Sequence, residues 1–180
     1  MKGIILLEGP DASGKSTLAK HIINKWGGIY MHLTYRFGNK MPLYQMAMLR
    51  KALKLSKNQL VIIDRMHISE KIYAEVYRGG TKWPWMIKSF NSFFRLMGFP
   101  IVLCVPENLE QGLKWFEKSK GERPEMYSDI TEVINKYIEY AKDNKQKNVI
   151  TYNRDYNDLY SFYLDYTLAT IKYILEVGGN

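Results

Sequence analysis

The sequence predicts an α/β domain in which one parallel sheet carries helices on both faces, and three observations predict it. Five short apolar runs, starting at Lys2, Ile29, Leu60, Ile101 and Val149, alternate with longer segments whose apolar residues recur at helical spacing. A glycine-rich loop stands where the first run gives way to the first helix. With 180 residues, the chain has one domain's worth of sequence and no room for a second full domain.

Lys2 to Glu8 is rich in Ile and Leu, is bounded by Gly9-Pro10 and is too short for a helix, so it reads as a buried strand. Leu18, Ile22, Ile23 and Trp26 then recur at helical spacing until Gly27-Gly28 stop the pattern. Ile29 to Leu33 reads as a second strand, Leu43 to Leu55 as a basic amphipathic helix, and Leu60 to Ile63 as a third strand ending in Asp64. Ile68, Ile72 and Val76 lie four apart on a helix that Gly79-Gly80 end, and Trp85 to Leu96 makes another, closed by Gly98 and Pro100. Ile101 to Val105 is the fourth strand, and a helix from about Glu107 to Phe116 follows it. Glu117 to Pro124 combines charge, Gly and Pro, the composition of an exposed loop.

Asp129 with Glu132 is a D-x-x-E start signal for a helix running to about Lys142. Val149 to Tyr152 is the fifth strand and Leu159 to Leu175 the last helix. Tyr156, Tyr160, Tyr163 and Tyr166 stand at three-to-four spacing there, which reads as a packing face rather than a stacking platform. Ligands are expected at the carboxyl ends of the strands.

Composition excludes several classes. A hydrophobic content of 46% with 24% charged residues argues against disorder. The apolar runs fall far short of the ~20 residues a membrane-spanning helix needs, so no membrane association is expected. The N-terminus has no extended apolar stretch or small-residue cleavage site, and export is not expected. Cys104 is the single cysteine, so neither an intrachain disulfide nor a cysteine-based zinc site can form, and a reducing, cytoplasmic setting is expected.

The net charge of +8 is unevenly spread. Between Thr34 and Pro100 twelve basic residues stand against three acidic ones, Asp64, Glu70 and Glu75. Arg36, Lys40, Arg50, Lys51, Lys54 and Lys57 come with no acid among them, a pattern suited to phosphates; a lysine-rich solvated face is the alternative. Residues 36–57 are therefore a candidate surface for DNA.

Gly9-Pro10-Asp11-Ala12-Ser13-Gly14-Lys15-Ser16 fits G-x-x-x-x-G-K-[ST] between a predicted strand and a predicted helix, the context the chemistry requires. Gly9, Asp11, Ser13, Gly14, Lys15, Ser16 and Thr17 are accordingly read as the ATP-binding segment. Backbone N–H groups and the positive end of the helix hold phosphates, and Lys15 places a point charge on the β and γ groups. Ser16 is positioned to ligate Mg²⁺, and Asp64, at the end of a second buried strand, either reaches the same metal, usually through water, or is simply a turn entry.

Leu6-Leu7-Glu8 and the loop through Thr17, together with Asp64-Arg65-Met66-His67-Ile68-Ser69 and a short basic lid, resemble the thymidylate kinase group of nucleoside monophosphate kinases, including compact phage-type members. They are also similar to the related deoxynucleoside kinases. The resemblance runs in order along most of the chain. It implies a three-layer P-loop NTPase fold with strand order 2-3-1-4-5, the lid being residues 117–125 and the acceptor segment residues 34–100.

It further implies roles. Arg65 holds the acceptor's phosphate or steadies the γ-phosphoryl group, and Ser69 orders the same turn or caps its helix. Glu8 is the candidate base near a 5′-hydroxyl, unless it is fixed to amides of the loop. Asp11 contacts the acceptor sugar, or simply forms the turn. Arg123, with Lys118 and Lys120 as lesser candidates, covers the transferring group, or belongs to a solvated loop. Arg36, just after the second strand, matches an acceptor-binding arginine, although its flanking Phe37-Gly38 departs from the family's Glu-Pro. Trp83, in Lys82-Trp83-Pro84-Trp85, suits stacking on a base as well as core packing. The family's Asn-Arg pair before the third strand is replaced here by Tyr44 to Arg50.

The leading expectation is an ATP- and Mg²⁺-dependent kinase of a pyrimidine deoxynucleotide, thymidylate above others. A kinase that phosphorylates the hydroxymethyl group of 5-hydroxymethyluracil in phage DNA, a DNA modification activity, is the alternative. A non-catalytic nucleotide-binding switch is the third reading, against which Arg65 and Arg123 stand. A homodimer is compatible with all three.

Overall fold

The computed structural model describes residues 1–33, 40–119, 129–144, 146–155 and 161–177, with the side chains of 161–163 outside the description. Strands and helices alternate as β1 (Gly3–Glu8), α1 (Lys15–Trp26), β2 (Ile29–His32), α2 (Met41–Ser56), β3 (Leu60–Asp64), α3 (His67–Arg78), α4 (Pro84–Leu96), β4 (Ile101–Cys104), α5 (Leu109–Ser119), α6 (Ile130–Asp143), β5 (Val149–Tyr152) and α7 (Ser161–Val177). All strand pairs are parallel, in the order β2-β3-β1-β4-β5 that the resemblance implies.

Side-chain alternation along each strand splits the core into two layers. Ile4, Leu6, Val61, Ile63, Ile101 and Leu103 face Met48 of α2, Ile68 and Ile72 of α3, Phe90 and Phe94 of α4 and Tyr137 of α6. Ile5, Leu7, Leu60, Ile62, Val102 and Cys104 face Leu18 and Ile22 of α1 and Leu168 and Ile171 of α7. The middle strand β1 sits between β3 and β4, so the chain's crossovers diverge at its carboxyl end and leave a crevice there. Register places Leu7 beside Asp64, so Gly9 and Arg65 leave the sheet from neighbouring strand ends.

Two expectations shift. Helix α5 continues through Glu117, Lys118 and Ser119, so the charged segment begins as a helical turn, and the rest of the expected lid, with Lys120 and Arg123, lies outside the described residues. Of the four tyrosines expected to form a packing face, the one whose side chain is described, Tyr166, is 60% exposed, while Leu164, Leu168, Ile171, Ile174 and Leu175 meet the sheet. Aliphatic side chains on the opposite side of the helix do the packing, while Tyr156, Tyr160 and the ring of Tyr163 lie outside the described residues. Among the described residues, no helix is long and apolar enough to cross a membrane.

Candidate active site

The loop from Gly9 to Gly14 joins β1 to α1. Gly9 has φ 153° and passes so close to the end of β4 that a Cβ would overlap the Cys104 carbonyl, which restricts the position to glycine. Gly14 takes the N-cap of α1 at φ 83°. That N-terminus has no side-chain cap and no acid in its first turn, so its N–H groups and dipole are available to an anion. The hydroxyl-bearing Ser16 and Thr17 are exposed in the same turn, while Ser13 is buried.

Lys15 is buried in this loop, and its ammonium donates to the carbonyls of Gly9 at 3.0 Å and Pro10 at 2.6 Å and to Ser13 Oγ at 3.3 Å. Burial, with the nearby Arg65 charge, pushes its pKa below the ordinary lysine value. Asp64 lies alongside at the end of β3, buried, and accepts a hydrogen bond from the Tyr30 hydroxyl; His32 Nδ1 is 3.4 Å away. Its Oδ1 is buried with no hydrogen-bond partner. Burial alone would raise the Asp64 pKa, but His32, the Lys15 charge and Tyr30 together hold it below the usual carboxylate range.

Arg65 follows directly with a left-handed φ of 69°, and its N–H donates to the Leu7 carbonyl at 2.9 Å. A non-glycine residue in that region needs surrounding contacts to hold it. They are present: the guanidinium forms an ion pair with Asp11 and lies 4.9 Å over the Tyr73 ring, and the Tyr73 hydroxyl donates to Asp11 Oδ2 at 3.1 Å.

Glu8, expected as a base, is fully buried and engaged through both oxygens. Oε1 accepts from Met66 N–H at 2.8 Å, and Oε2 from Ser69 N–H at 3.1 Å and from the Ser69 hydroxyl, whose oxygen is 2.7 Å from that of Tyr137. Desolvation raises its pKa. The bonds go to amides of the 65–69 turn, not of the phosphate loop, so Glu8 pins the turn that presents Arg65. Ser69 orders that turn through Glu8 rather than as a helix cap, since Met66 holds the N-cap of α3.

Trp83 is half-buried at the N-cap of α4 and packs on the core, whereas Trp85 is 57% exposed, so the ring free to stack is not the one expected. Arg36 and Arg123 lie outside the described residues.

Two further residues escaped the sequence reading. Arg154, just past β5, donates to the Ala12 carbonyl of the phosphate loop and lies 4.9 Å over the ring of Trp115. The Trp115 Nε1–H and Gln111 Nε2–H both donate to Asp155 Oδ2, at 2.7 and 2.9 Å, tying α5 to the same turn. A cation at the carboxyl end of a predicted strand was the available signal for Arg154. Gln45, fully buried on α2, donates from Nε2 to the Met66 carbonyl at 3.4 Å and leaves Oε1 without a hydrogen-bond partner. Its signal was a polar residue in the buried stripe of Met41, Met48 and Ala52.

No protein-family model matches the chain, and no curated protein matches it in sequence. Solved structures do match. The YorR protein of Bacillus subtilis, in complex with phosphorylated GDP, superposes with a TM-score of 0.65 at 18% identity over 97% of this chain and 96% of that one. Deoxyadenosine kinase from M. mycoides with bound dATP gives 0.59 at 18% identity over 94% of this chain and 98% of that one. The same enzyme with dCMP and a flexible dCDP gives 0.57 at 16%, over 94% and 99%. At these identities the likeness establishes the fold, a three-layer α/β P-loop NTPase fold of the kind found in nucleotide kinases.

Proposed function

We propose that this chain is an ATP-dependent phosphotransferase whose acceptor is a pyrimidine deoxynucleotide, thymidylate above others. One observation carries the reading: the phosphate loop with Lys15 and the Arg65–Asp11 pair leave neighbouring strand ends and face one crevice. A nucleotide-binding switch needs the first but has no use for a second, largely buried cation beside it.

The loop amides and the uncapped end of α1 hold the donor's phosphates, and Lys15 exchanges its neutral carbonyl partners for charged β and γ oxygens, which bind it more strongly. Arg65 binds the acceptor's phosphate, and Asp11, released from that pair, accepts from the acceptor's sugar hydroxyl. An acceptor phosphate oxygen attacks the γ-phosphorus, the bond to the β–γ bridging oxygen breaks, and ADP and the diphosphate are formed. Arg123 of the lid is assigned the charge on the transferring group. Gln45, fully buried, is assigned to hold the acceptor turn through the Met66 carbonyl.

The residues also fit Mg²⁺. Among the described residues no group of three or more His, Cys, Asp and Glu is placed to hold a metal by itself. Asp64 brings an unpartnered buried oxygen and Ser16 an exposed hydroxyl. One carboxylate and one hydroxyl, completed by phosphates and water, is the donor set of a nucleotide-bound Mg²⁺. Held by Asp64 and Ser16, a bound Mg²⁺ would draw off negative charge that develops on the donor's phosphates.

The test is mass spectrometry of products after incubation with ATP, Mg²⁺ and a panel of deoxynucleosides and deoxynucleotides. Lys15→Ala is expected to lose at least ~100-fold in kcat while remaining folded, since the ammonium supports no apolar packing. Turnover unaffected by that substitution would overturn the kinase reading.

A further inference from the structure

No Asp or Glu occurs between Asp11 and Asp64. That span builds α1, β2, α2 and most of β3, so the β2 edge of the sheet, with a helix on each face, forms one basic flank. Exposed lysines off α2 sit beside acids: Lys25 of α1 with Asp165 at 3.1 Å, Lys114 with Glu110 at 2.8 Å, and Lys172 with Glu176 at 3.8 Å. On α2 the side chains of Arg50, Lys51, Lys54 and Lys57 are exposed, and among the described residues none forms an ion pair.

The geometry of the helix turns these charges into a line. At about 100° per residue, Leu43, Arg50, Lys54 and Lys57 fall within about 60° of one another on the outward face. The line starts at the candidate acceptor site, because the Gln45 side chain on the inward face reaches the Met66 carbonyl next to Arg65. At about 1.5 Å per residue, Arg50 lies about 8 Å, Lys54 about 14 Å and Lys57 about 18 Å beyond that level. Leu43 and Met46, 70% and 53% exposed, occupy the end of the face nearest the site. A free mononucleotide keeps its charge inside the crevice and cannot reach such a row, whereas an extended polyanion can follow it.

We infer that the outward face of α2 is a track for the phosphate backbone of a nucleic-acid strand whose terminal, 5′-phosphorylated nucleotide enters the acceptor crevice. The inference rests on the nucleotide-kinase reading above and names its substrate class as a polynucleotide. Arg50, Lys54 and Lys57 take successive phosphates, and Leu43 with Met46 supply an apolar surface for a base beside the one that enters. An anionic membrane fits less well, since the apolar residues occupy only one end of the face and the helix would bury little on lying flat.

The experiment is fluorescence anisotropy with a 3′-labelled, 5′-phosphorylated oligothymidylate of about 20 nucleotides, titrated with salt, beside transfer assays on free thymidylate and on the oligonucleotide. Wild-type affinity is expected to fall steeply between ~50 and ~200 mM salt, and the triple variant Arg50→Gln, Lys54→Gln, Lys57→Gln to flatten the log–log slope by about 2, at about 0.7 per single-strand contact. ATP affinity and transfer to free thymidylate should be unchanged in that variant. An oligonucleotide bound no more tightly than thymidylate at low salt, a full slope in the triple variant, or preferential binding to phosphatidylserine vesicles overturns the track. Transfer to thymidylate in the absence of oligonucleotide binding leaves the kinase reading standing. Salt-dependent oligonucleotide binding that the triple variant weakens, with no transfer to any acceptor, supports the track and overturns the kinase reading.

Discussion

Arg65 of the β3–α3 turn and Asp11 of the phosphate loop form an ion pair across the crevice between β1 and β3, and Tyr73 completes it by donating to the second Asp11 oxygen at 3.1 Å. The pair joins the two halves of the site and holds Arg65 in its left-handed conformation. Arg65→Lys keeps the charge but loses the planar fork and the face that lies on Tyr73, so kcat is expected to fall about 100-fold. Asp11→Asn should instead raise the acceptor KM about tenfold and leave the KM for ATP alone, because it removes one charged hydrogen bond on the acceptor side. Steady-state kinetics with each substrate varied in turn separate the two. A rise in the ATP KM of Asp11→Asn would move that residue to the donor side.

Glu8 offers a choice between base and pin that the variants resolve. With both oxygens accepting from Met66 and Ser69, Glu8→Gln turns an amide NH₂ toward a donor and strands it, at a cost of about 1–3 kcal/mol. For a chain of this length that lowers the melting temperature by about 2–4 °C per kcal/mol. Ser69→Ala removes a bond from the same cluster, so it should reproduce the drop and lower kcat in parallel as Arg65 loses its footing. Activity abolished in Glu8→Gln at an unchanged melting temperature, with Ser69→Ala fully active, would make Glu8 the base after all.

These contrasts follow what was legible in the sequence. Strands β1, β3 and β4 are written locally, as Ile-, Leu- or Val-rich runs bounded by Gly, Pro or Asp, and so is the phosphate loop, whose residues lie within eight positions of one another. Strand order is not a local property, and here it came from the resemblance. The carboxylate at the end of β1 was visible, but its role depends on amides 58 and 61 residues away. Arg154 meets the phosphate loop across 142 residues, a separation that no spacing rule spans. Trp83 and Trp85 look equivalent in sequence; with Pro84 opening α4, the first ring turns to the core and the second to solvent.

His67 makes acid stability a readout of packing. It is fully buried between α3 and α4 against Phe90 and Phe94, and burial lowers its pKa to about 4, with the Asn91 hydrogen bond working the other way. The unfolded chain binds this proton near pH 6.5 and the folded chain only near 4, so the contribution is complete above about 6.5 and is lost as pH falls toward 4. The loss amounts to about 3 kcal/mol. Asp64, with its depressed pKa, adds a loss at lower pH, and Glu8, with a raised one, works in the opposite direction. Urea midpoints from pH 7.5 to 4 should therefore fall in the wild type and much less in His67→Phe. Equal slopes in the two proteins would place the acid sensitivity elsewhere.

Arg154 is expected to act on the donor side alone. Its guanidinium donates to the Ala12 carbonyl, and its aliphatic stem packs so closely on Gly14 that an added Cβ there would meet it at 3.1 Å, so it straps the phosphate loop from outside. The strap is itself braced, since Trp115 lies beneath the guanidinium and is fixed by Asp155. Arg154→Ala frees a loop whose Ala12 sits at a left-handed φ of 62°, and that loop must then be ordered at the moment ATP binds. A tenfold rise in the ATP KM, equivalent to about 1.4 kcal/mol, is the expected result, with the acceptor KM unchanged. Arg154→Lys reaches the same carbonyl without a planar face, so it separates two ways the residue can work. If the clasp on Ala12 matters, lysine restores the ATP KM; if the guanidinium stacks on the donor's base, lysine fails and the preference for ATP over GTP changes with it. Trp115→Ala should follow Arg154→Ala in either case, because the ring holds the guanidinium in place. A shift confined to the acceptor KM would show that the strap does not belong to the donor site.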